Sequence, residues 1–243
     1  MALVSESLER AGFRHGFFLR EVVPDWDEAC RSLDVARARL FLASQVHGRA
    51  VVSVSASDDP TEVRRREADA VLASEAGVAC ATRVADCAPV LLADPESGAV
   101  AAVHSGWRGT VQGVVAAAVE ALGGAAVAPR LVAAVGPLIE VCCFEVGPEV
   151  AAELAASSPL GDVVVDRSRS RPHIDLRRVV GAQLRALGVE MVEEVRGCTR
   201  CDAARFHSFR RDGAASGRLL AAIVARGPGG ARFSGVTGGP VVG

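Results

Sequence analysis

Three polar residues stand where apolar runs end. They are His47 in "QVHG" (45–48), Cys87 in "VADCAPV" (84–90) and His104 in "AAVHSGWRGT" (101–110). Two imidazoles and one thiolate suit a zinc ion that keeps a fourth position open to water. A strand end fixes a side chain while letting it face a cleft. Each residue also has an ordinary reading: a histidine satisfied inside the core, or a cysteine that simply packs. Spacing alone does not bring the three together. Asp69 and Asp86 are candidates to orient such ligands, or to cap turns.

Two cysteine pairs and one basic run remain. "CCFEVG" (142–147) sets Cys142 and Cys143 side by side. In extended chain they point opposite ways, so at most one faces a given cleft. "CTRC" (198–201) has C-x-x-C spacing, which fits half a zinc site, a redox pair or an incidental arrangement. "FHSFRRDG" (206–213) gathers His207, Arg210, Arg211 and Asp212. Arginines beside a cleft can grip phosphate or carboxylate through two N–H groups, and elsewhere they are solvated surface.

The elements that must position these residues can be read from periodicity. Residues 25–40 contain a short helix candidate. Strands are expected at 40–48, ending on Gly48, and at 51–56, 70–74, 78–86, 89–94 and 99–105. A polar loop or short helix occupies 58–69, and "DPESG" (94–98) is a turn. Residues 110–124 have helical spacing, with Thr110 read as the N-cap. A strand follows at 130–137, then a helix at 147–157 with Pro148 in its first turn. A short strand at 163–166 precedes an amphipathic helix over 173–188. Strands at 190–196 and 218–225 complete the order, and the Gly/Pro-rich tail 227–243 is expected to be mobile. Several strands run consecutively, without strict strand–helix alternation. That pattern predicts an α+β layered sandwich in one domain over 1–243, not a Rossmann fold. Neither a G-x-G-x-x-G sequence nor a phosphate-binding P-loop is present.

Composition sets outer bounds. The chain has 243 residues, 50% hydrophobic and 23% charged, long enough to bury a sizeable core. Its formal net charge is −2, with arginine and no lysine, so it carries no basic field for nucleic acid or an anionic membrane. No apolar run reaches the ~18 residues of a membrane span. The start "MALVSESLERAG" lacks the basic and apolar regions of a signal peptide, so a cytoplasmic location is expected. Seven irregularly spaced cysteines argue against a disulfide framework.

Taken in order, "QVHG", "EADAVLAS", "ADCAPVLLADPESGAVAAVHSGWRGTVQGVV", "VGPLIEVCCFEVGPEV", "HIDLRRVVGAQLRALGV" and "FHSFRRDGAASGRLLAAI" resemble one family. It is the YfiH-like family, also called the laccase-domain or polyphenol oxidase family, whose members are purine nucleoside phosphorylases. The resemblance spans roughly residues 40 to 225 and rests on the "ADCxPVLLxD" and "HxGWRG" pair. It implies a single-domain α-β-β-α sandwich and a catalytic zinc held by His47, Cys87 and His104, with copper as an alternative ion. It also implies phosphorolysis of adenosine, inosine and methylthioadenosine, and deamination of adenosine. The partners implied are a purine nucleoside and phosphate, with no nucleic acid and no membrane, in a monomer or small homo-oligomer. Arg108, Arg210, Arg211, Gln45 and Arg20 are the substrate-binding candidates. Gln45 shares a face with His47 if "QVH" is extended, and Arg108 follows the histidine by four positions. Trp107 is expected to pack beneath the loop.

One segment departs from the family pattern. Members carry a long "TRxGG…SLN…GD" stretch after an N-terminal "HGF". Here residues 1–40 are shorter and lack those glycines and the "SLN" element, with Arg20 as the candidate remnant of the "TR" arginine. The resemblance thus preserves the metal half of the site and reduces the nucleoside half. Two other readings stay open: a non-catalytic metal-binding or assembly protein, and a cysteine hydrolase, peptidoglycan-related, with Cys87 as nucleophile. A single Cys/His set does not suit multicopper oxidation.

Overall fold

The computed structural model describes residues 1–21, 26–227 and 229. Thirteen strands are described: β1 (Ala2–Leu3), β2 (His15–Phe18), β3 (Leu40–Phe41), β4 (Val51–Val54), β5 (Ala70–Ala73), β6 (Ala79–Val84), β7 (Ala88–Ala93), β8 (Val100–Ser105), β9 (Val132–Val135), β10 (Val165–Asp166), β11 (His173–Ile174), β12 (Met191–Glu194) and β13 (Leu219–Val224). The α-helices are α1 (Glu6–Arg10), α2 (Trp26–Ser32), α3 (Pro60–Val63), α4 (Trp107–Gln112), α5 (Val114–Leu122), α6 (Pro148–Ser157), α7 (Leu176–Ala186) and α8 (Phe209–Asp212).

Two mixed sheets form the centre. One has the order β1-β2-β13-β6-β3, the other β12-β9-β7-β8-β5-β4, and β10 with β11 makes a small ribbon. Every residue of β5, β7, β8, β9 and β13 is buried, as strands covered on both faces require. Side-chain alternation sorts them into layers. Val71, Leu91, Ala102 and Ala134 of the larger sheet meet Cys80, Ala221 and Ile223 of the smaller one in the core between the sheets. On the other face of the larger sheet, Leu72, Val90, Leu92, Val103 and Val135 pack against Val115, Leu154 and Val180 of α5, α6 and α7. On the other face of the smaller sheet, Phe18, Ala81, Leu220 and Ala222 pack against Ala29 and Cys30 of α2. The result is the α-β-β-α sandwich that the sequence predicts.

Four expectations need correction. The run 40–48 is not one strand: β3 stops at Phe41, and His47 has φ +61. Thr110 is not an N-cap. The helix starts at Trp107 with Gly106 as its cap, and Thr110 lies inside it, donating to the Gly106 carbonyl at 2.9 Å and bonding the Ser105 hydroxyl at 2.7 Å. The expected continuous helix is broken at Gly113, whose φ of +80 suits a residue without Cβ, and α5 restarts immediately after it. Cys142 and Cys143 lie in a turn rather than extended chain, so both sulfurs reach the same place, 3.6 Å apart. The tail expected to be mobile, apart from Gly227 and Gly229, lies outside the described residues.

Candidate functional site

Strand register builds the site. β7 and β8 are antiparallel, with Ala88 opposite Ser105. Cys87 precedes the first residue of β7, and Gly106 follows the last residue of β8, so the two are brought side by side. His104 projects from the same end of β8 and is 4% exposed. Gly106 must lack a side chain. A Cβ there would lie 2.8 Å from the His47 ring and 2.9 Å from the Cys87 sulfur. Gly109 is similarly confined, with the Gly48 carbonyl 3.0 Å from where its Cβ would sit.

Asp69 assembles the histidines. It is 2% exposed and precedes β5, which pairs with β8. Its Oδ1 accepts from His104 Nδ1 at 2.7 Å and from the His47 backbone N–H at 3.0 Å. Its Oδ2 accepts from the Gly48 N–H at 2.7 Å and the Val46 N–H at 3.2 Å. One carboxylate therefore holds the 46–48 turn, including the left-handed backbone of His47. Because a carboxylate only accepts, His104 carries its proton on Nδ1 and leaves Nε2 free to ligate. Burial disfavours the Asp69 anion, but the His104 side chain and the Gly48 and Val46 amides outweigh it and hold the pKa below the ordinary carboxylate value.

The ligand atoms of His47, Cys87 and His104 all lie within 4.8 Å of one another. His47 Nε2 is 3.9 Å from Cys87 Sγ, close to the ~3.6 Å expected between nitrogen and sulfur ligands of a tetrahedral zinc. Burial opposes ionisation of Cys87. The facing His104 and His47 imidazoles more than offset it, bringing the thiol down to about 6. Burial likewise disfavours the His104 cation, yet Asp69 and Cys87 raise its pKa to about 9. A site that draws protons off a thiol and supplies two imidazoles has the donor set of a metal centre.

The three side chains open into a cavity of about 620 Å³. Arg83, Arg210 and Arg218 line it together with Ile139, Phe144 and Phe209. Arg83 lies on β6 opposite Leu220, beside the entry of Arg218 into β13. Burial first, and then the Arg64 and Arg218 charges, lower its pKa. Its Nε is buried without a hydrogen-bond partner. Asp86, at φ +89, fixes the Cys87 turn. It accepts from the Thr199 hydroxyl at 2.6 Å and from the Arg210 N–H at 2.6 Å.

The sequence candidates divide. His47, Cys87, His104, Gln45 and Arg210 meet at the cavity. Gln45 already spends its amide on Arg83: Nε2 donates to the Arg83 carbonyl at 2.7 Å and Oε1 accepts its N–H at 2.8 Å. Arg108 is exposed, stacks on Trp107 with 4.5 Å to the ring centroid, and is not among the cavity's lining residues. Trp107 packs against the helix-side core, as expected. Arg20 donates to the Ala203 carbonyl at 2.9 Å, away from the lining. Arg211 pairs with Asp212 and donates to the carbonyls of Thr199, Arg200 and Phe206. Sequence reasoning missed Arg83 and Arg218. Arg218 sits in the "SGRLL" run, and Arg83 is the lone cation in an otherwise apolar strand.

Comparison with known proteins agrees with this architecture. The chain is 43% identical over 192 residues to a purine nucleoside phosphorylase of Streptomyces coelicolor, covering 79% of this chain and 77% of that protein. It is 37% identical over 221 residues to an adenosine deaminase from an unknown prokaryotic organism, covering 81% and 83%. The crystal structure of YlmD from Geobacillus stearothermophilus superposes with a TM-score of 0.77 at 27% identity, covering 88% of this chain and 90% of that one. Residues 19–226 match the pattern described as multi-copper polyphenol oxidoreductase laccase, and the chain belongs to that family.

Proposed function

We propose that this chain is a zinc-dependent purine nucleoside phosphorylase that also deaminates adenosine. The observation that carries the reading is the convergence of His47, Cys87 and His104, backed by Asp69, in a cavity that also presents three arginines. The similarity to a phosphorylase and a deaminase supports it. When bound, a zinc ion acts as a Lewis acid and makes water a stronger acid, to a pKa of about 7.

The chain's own residues supply the rest. Arg83 and Arg218 are neighbouring cations without a carboxylate between them, and the unpartnered Arg83 Nε favours an anion such as phosphate. Ile139, Phe144 and Phe209 offer apolar surface for a purine ring. In phosphorolysis a phosphate oxygen bonds ribose C1′, the C1′–N9 bond breaks, and the base leaves as the neutral purine after taking a proton. Ribose 1-phosphate is the second product, or 5-methylthioribose 1-phosphate where the substrate is methylthioadenosine. In deamination a water oxygen adds at C6 and ammonia departs. Adenosine, inosine and methylthioadenosine are the substrates expected.

Zinc-loaded protein incubated with each nucleoside and phosphate should release the free base and the corresponding sugar 1-phosphate, and adenosine should also give inosine. Arg83→Gln should raise the KM for phosphate more than it lowers kcat. Absence of all three products from zinc-loaded protein overturns the proposal.

A further inference from the structure

The cysteines that the proposed reaction does not use converge. Cys142 Sγ lies 3.6 Å from Cys143, 3.7 Å from Cys198 and 3.7 Å from Cys201, and Cys143 Sγ lies 3.3 Å from Cys201. All four sulfurs fall within 4.8 Å of one another. We propose that Cys142, Cys143, Cys198 and Cys201 form a second metal centre, a structural tetrathiolate site for Zn²⁺ beside the catalytic cavity.

The distances favour a metal over the alternatives. Four sulfurs at ~2.3 Å from a tetrahedral zinc stand about 3.8 Å apart, close to the spacings in the structure. A disulfide needs about 2.05 Å, and all four thiols are free. Packing does not explain the cluster either. Cys143 is buried in the helix-side core and Cys198 packs against it, but Cys142 and Cys201 are exposed, so core filling does not account for their sulfurs meeting the other two. Cys198 and Cys201 have the two-residue spacing common in structural zinc sites. A zinc with four thiolates carries a net negative charge, and cationic groups border the cluster. Arg200 Nη1 is 3.5 Å from Cys143 Sγ, and Arg169 Nη1 donates to the Cys142 carbonyl at 2.9 Å.

The position gives the ion a task. Two irregular segments meet here, 137–146 and 197–206, and a short backbone bridge ties them, the Leu138 N–H donating to the Gly197 carbonyl and the Thr199 N–H to the Leu138 carbonyl. The first segment carries Ile139 and Phe144 into the cavity. The second carries Thr199, between two of the cysteines, to Asp86 next to Cys87. A zinc ion would lock both segments, and with them one wall of the cavity, with release of the thiol protons.

The test uses the full chain carrying Cys87→Ala, which removes the other thiolate site. After dialysis it should retain one equivalent of zinc by elemental analysis. Replacing zinc with Co²⁺ should give the strong visible bands and sulfur-to-metal charge transfer of a tetrathiolate. Adding Cys142→Ser and Cys201→Ser, both exposed positions, should abolish the bound equivalent. A mercurial titration of Cys87→Ala should release zinc in step with four thiols. Cys87→Ala that holds no zinc and gives only the weak spectrum of aqueous Co²⁺ overturns the proposal. So does a Cys143–Cys201 disulfide that persists in freshly reduced and reoxidised protein supplied with zinc. If the triple variant fails to fold, the cobalt spectrum of Cys87→Ala decides alone.

Discussion

Adding one methyl group at Gly106 should separate metal binding from folding. The backbone there has φ −76 and ψ 169, which alanine adopts freely, so Gly106→Ala introduces no backbone strain. The new Cβ would stand 2.8 Å from His47 Cδ2 and 2.9 Å from Cys87 Sγ. Carbon contacts relax at about 3.5–4.0 Å, so at least one ligand must retreat by about 0.7–1.2 Å. Metal ligands tolerate about 0.2 Å. His47 has little room to follow, because Asp69 holds its backbone and both neighbours through three N–H bonds. Without metal, the imidazole and thiol can rotate aside, and the helix that starts at Trp107 keeps its cap. The expected loss of zinc affinity therefore exceeds the 10–100-fold typical of perturbing a ligand's support, or about 1.4–2.7 kcal/mol. The metal-free melting temperature should change little. The assay is zinc competition against a chromophoric chelator, with Cys201→Ser in both proteins to silence the tetrathiolate cluster. Wild-type zinc affinity in Gly106→Ala refutes the geometry. So does an affinity loss matched by an equal loss of metal-free stability.

Further outcomes follow from the polar frame. Asp69→Asn puts an NH₂ group against backbone donors or against His104 Nδ1, so zinc affinity should fall by about 10–100-fold, read by the same competition. Asp94 is buried and holds Arg130 Nε and Nη2 at 2.8 Å each in the turn between β7 and β8, and this pairing keeps its carboxyl well below the usual range. Its folded pKa is depressed, so the stability it adds is present above the unfolded value of about 3.9 and is lost as pH falls through the folded value. Asp94→Asn should cost roughly 2 kcal/mol at neutral pH, and urea melts should show that difference shrinking below about pH 4. Arg177, 2% exposed, binds Glu140 and the carbonyls of Val135 and Gly136. Arg177→Met should cost about 3–5 kcal/mol by chemical denaturation, because it strands those partners.

What could be read from the chain, and what could not, follows from the range of the forces involved. The fully buried strands β5, β7, β8, β9 and β13 announce themselves as short apolar runs, and the consecutive strands imply stacked sheets. His47, Cys87 and His104 stand out one by one as polar residues at the ends of such runs, and the family resemblance rather than their spacing is what groups them. Several of the errors concern local conformations decided by partners elsewhere in the chain. Residues 44–48 look like strand until a carboxylate 21 residues beyond Gly48 gathers three successive N–H groups and turns the chain at His47. Thr110 has the chemistry of an N-cap, but the Ser105 hydroxyl engages it inside the helix. Gln45 shows a free amide in sequence, yet the Arg83 backbone on β6 occupies both of its atoms.

The same logic explains why the four outlying cysteines gave only a partial signal, the C-x-x-C spacing of Cys198 and Cys201. Two lie in one turn and two in another, 56 residues apart at Cys142 and Cys198. Neither pair is a site alone, and adjacent cysteines read as extended chain diverge. The bridge between Leu138 and Cys198 brings the turns together. That bridge abuts the loop that Arg177 clamps from α7, while Thr199 reaches Asp86 beside Cys87. Besides the backbone bonds of Ile139 to Asp86 and of Ile174 to Phe144, the cavity wall thus rests on two supports, the buried Arg177 guanidinium and the proposed metal-bound thiol cluster. Loosening either should therefore act on substrate affinity before it acts on the His47, Cys87 and His104 frame, which β7, β8 and Asp69 hold independently.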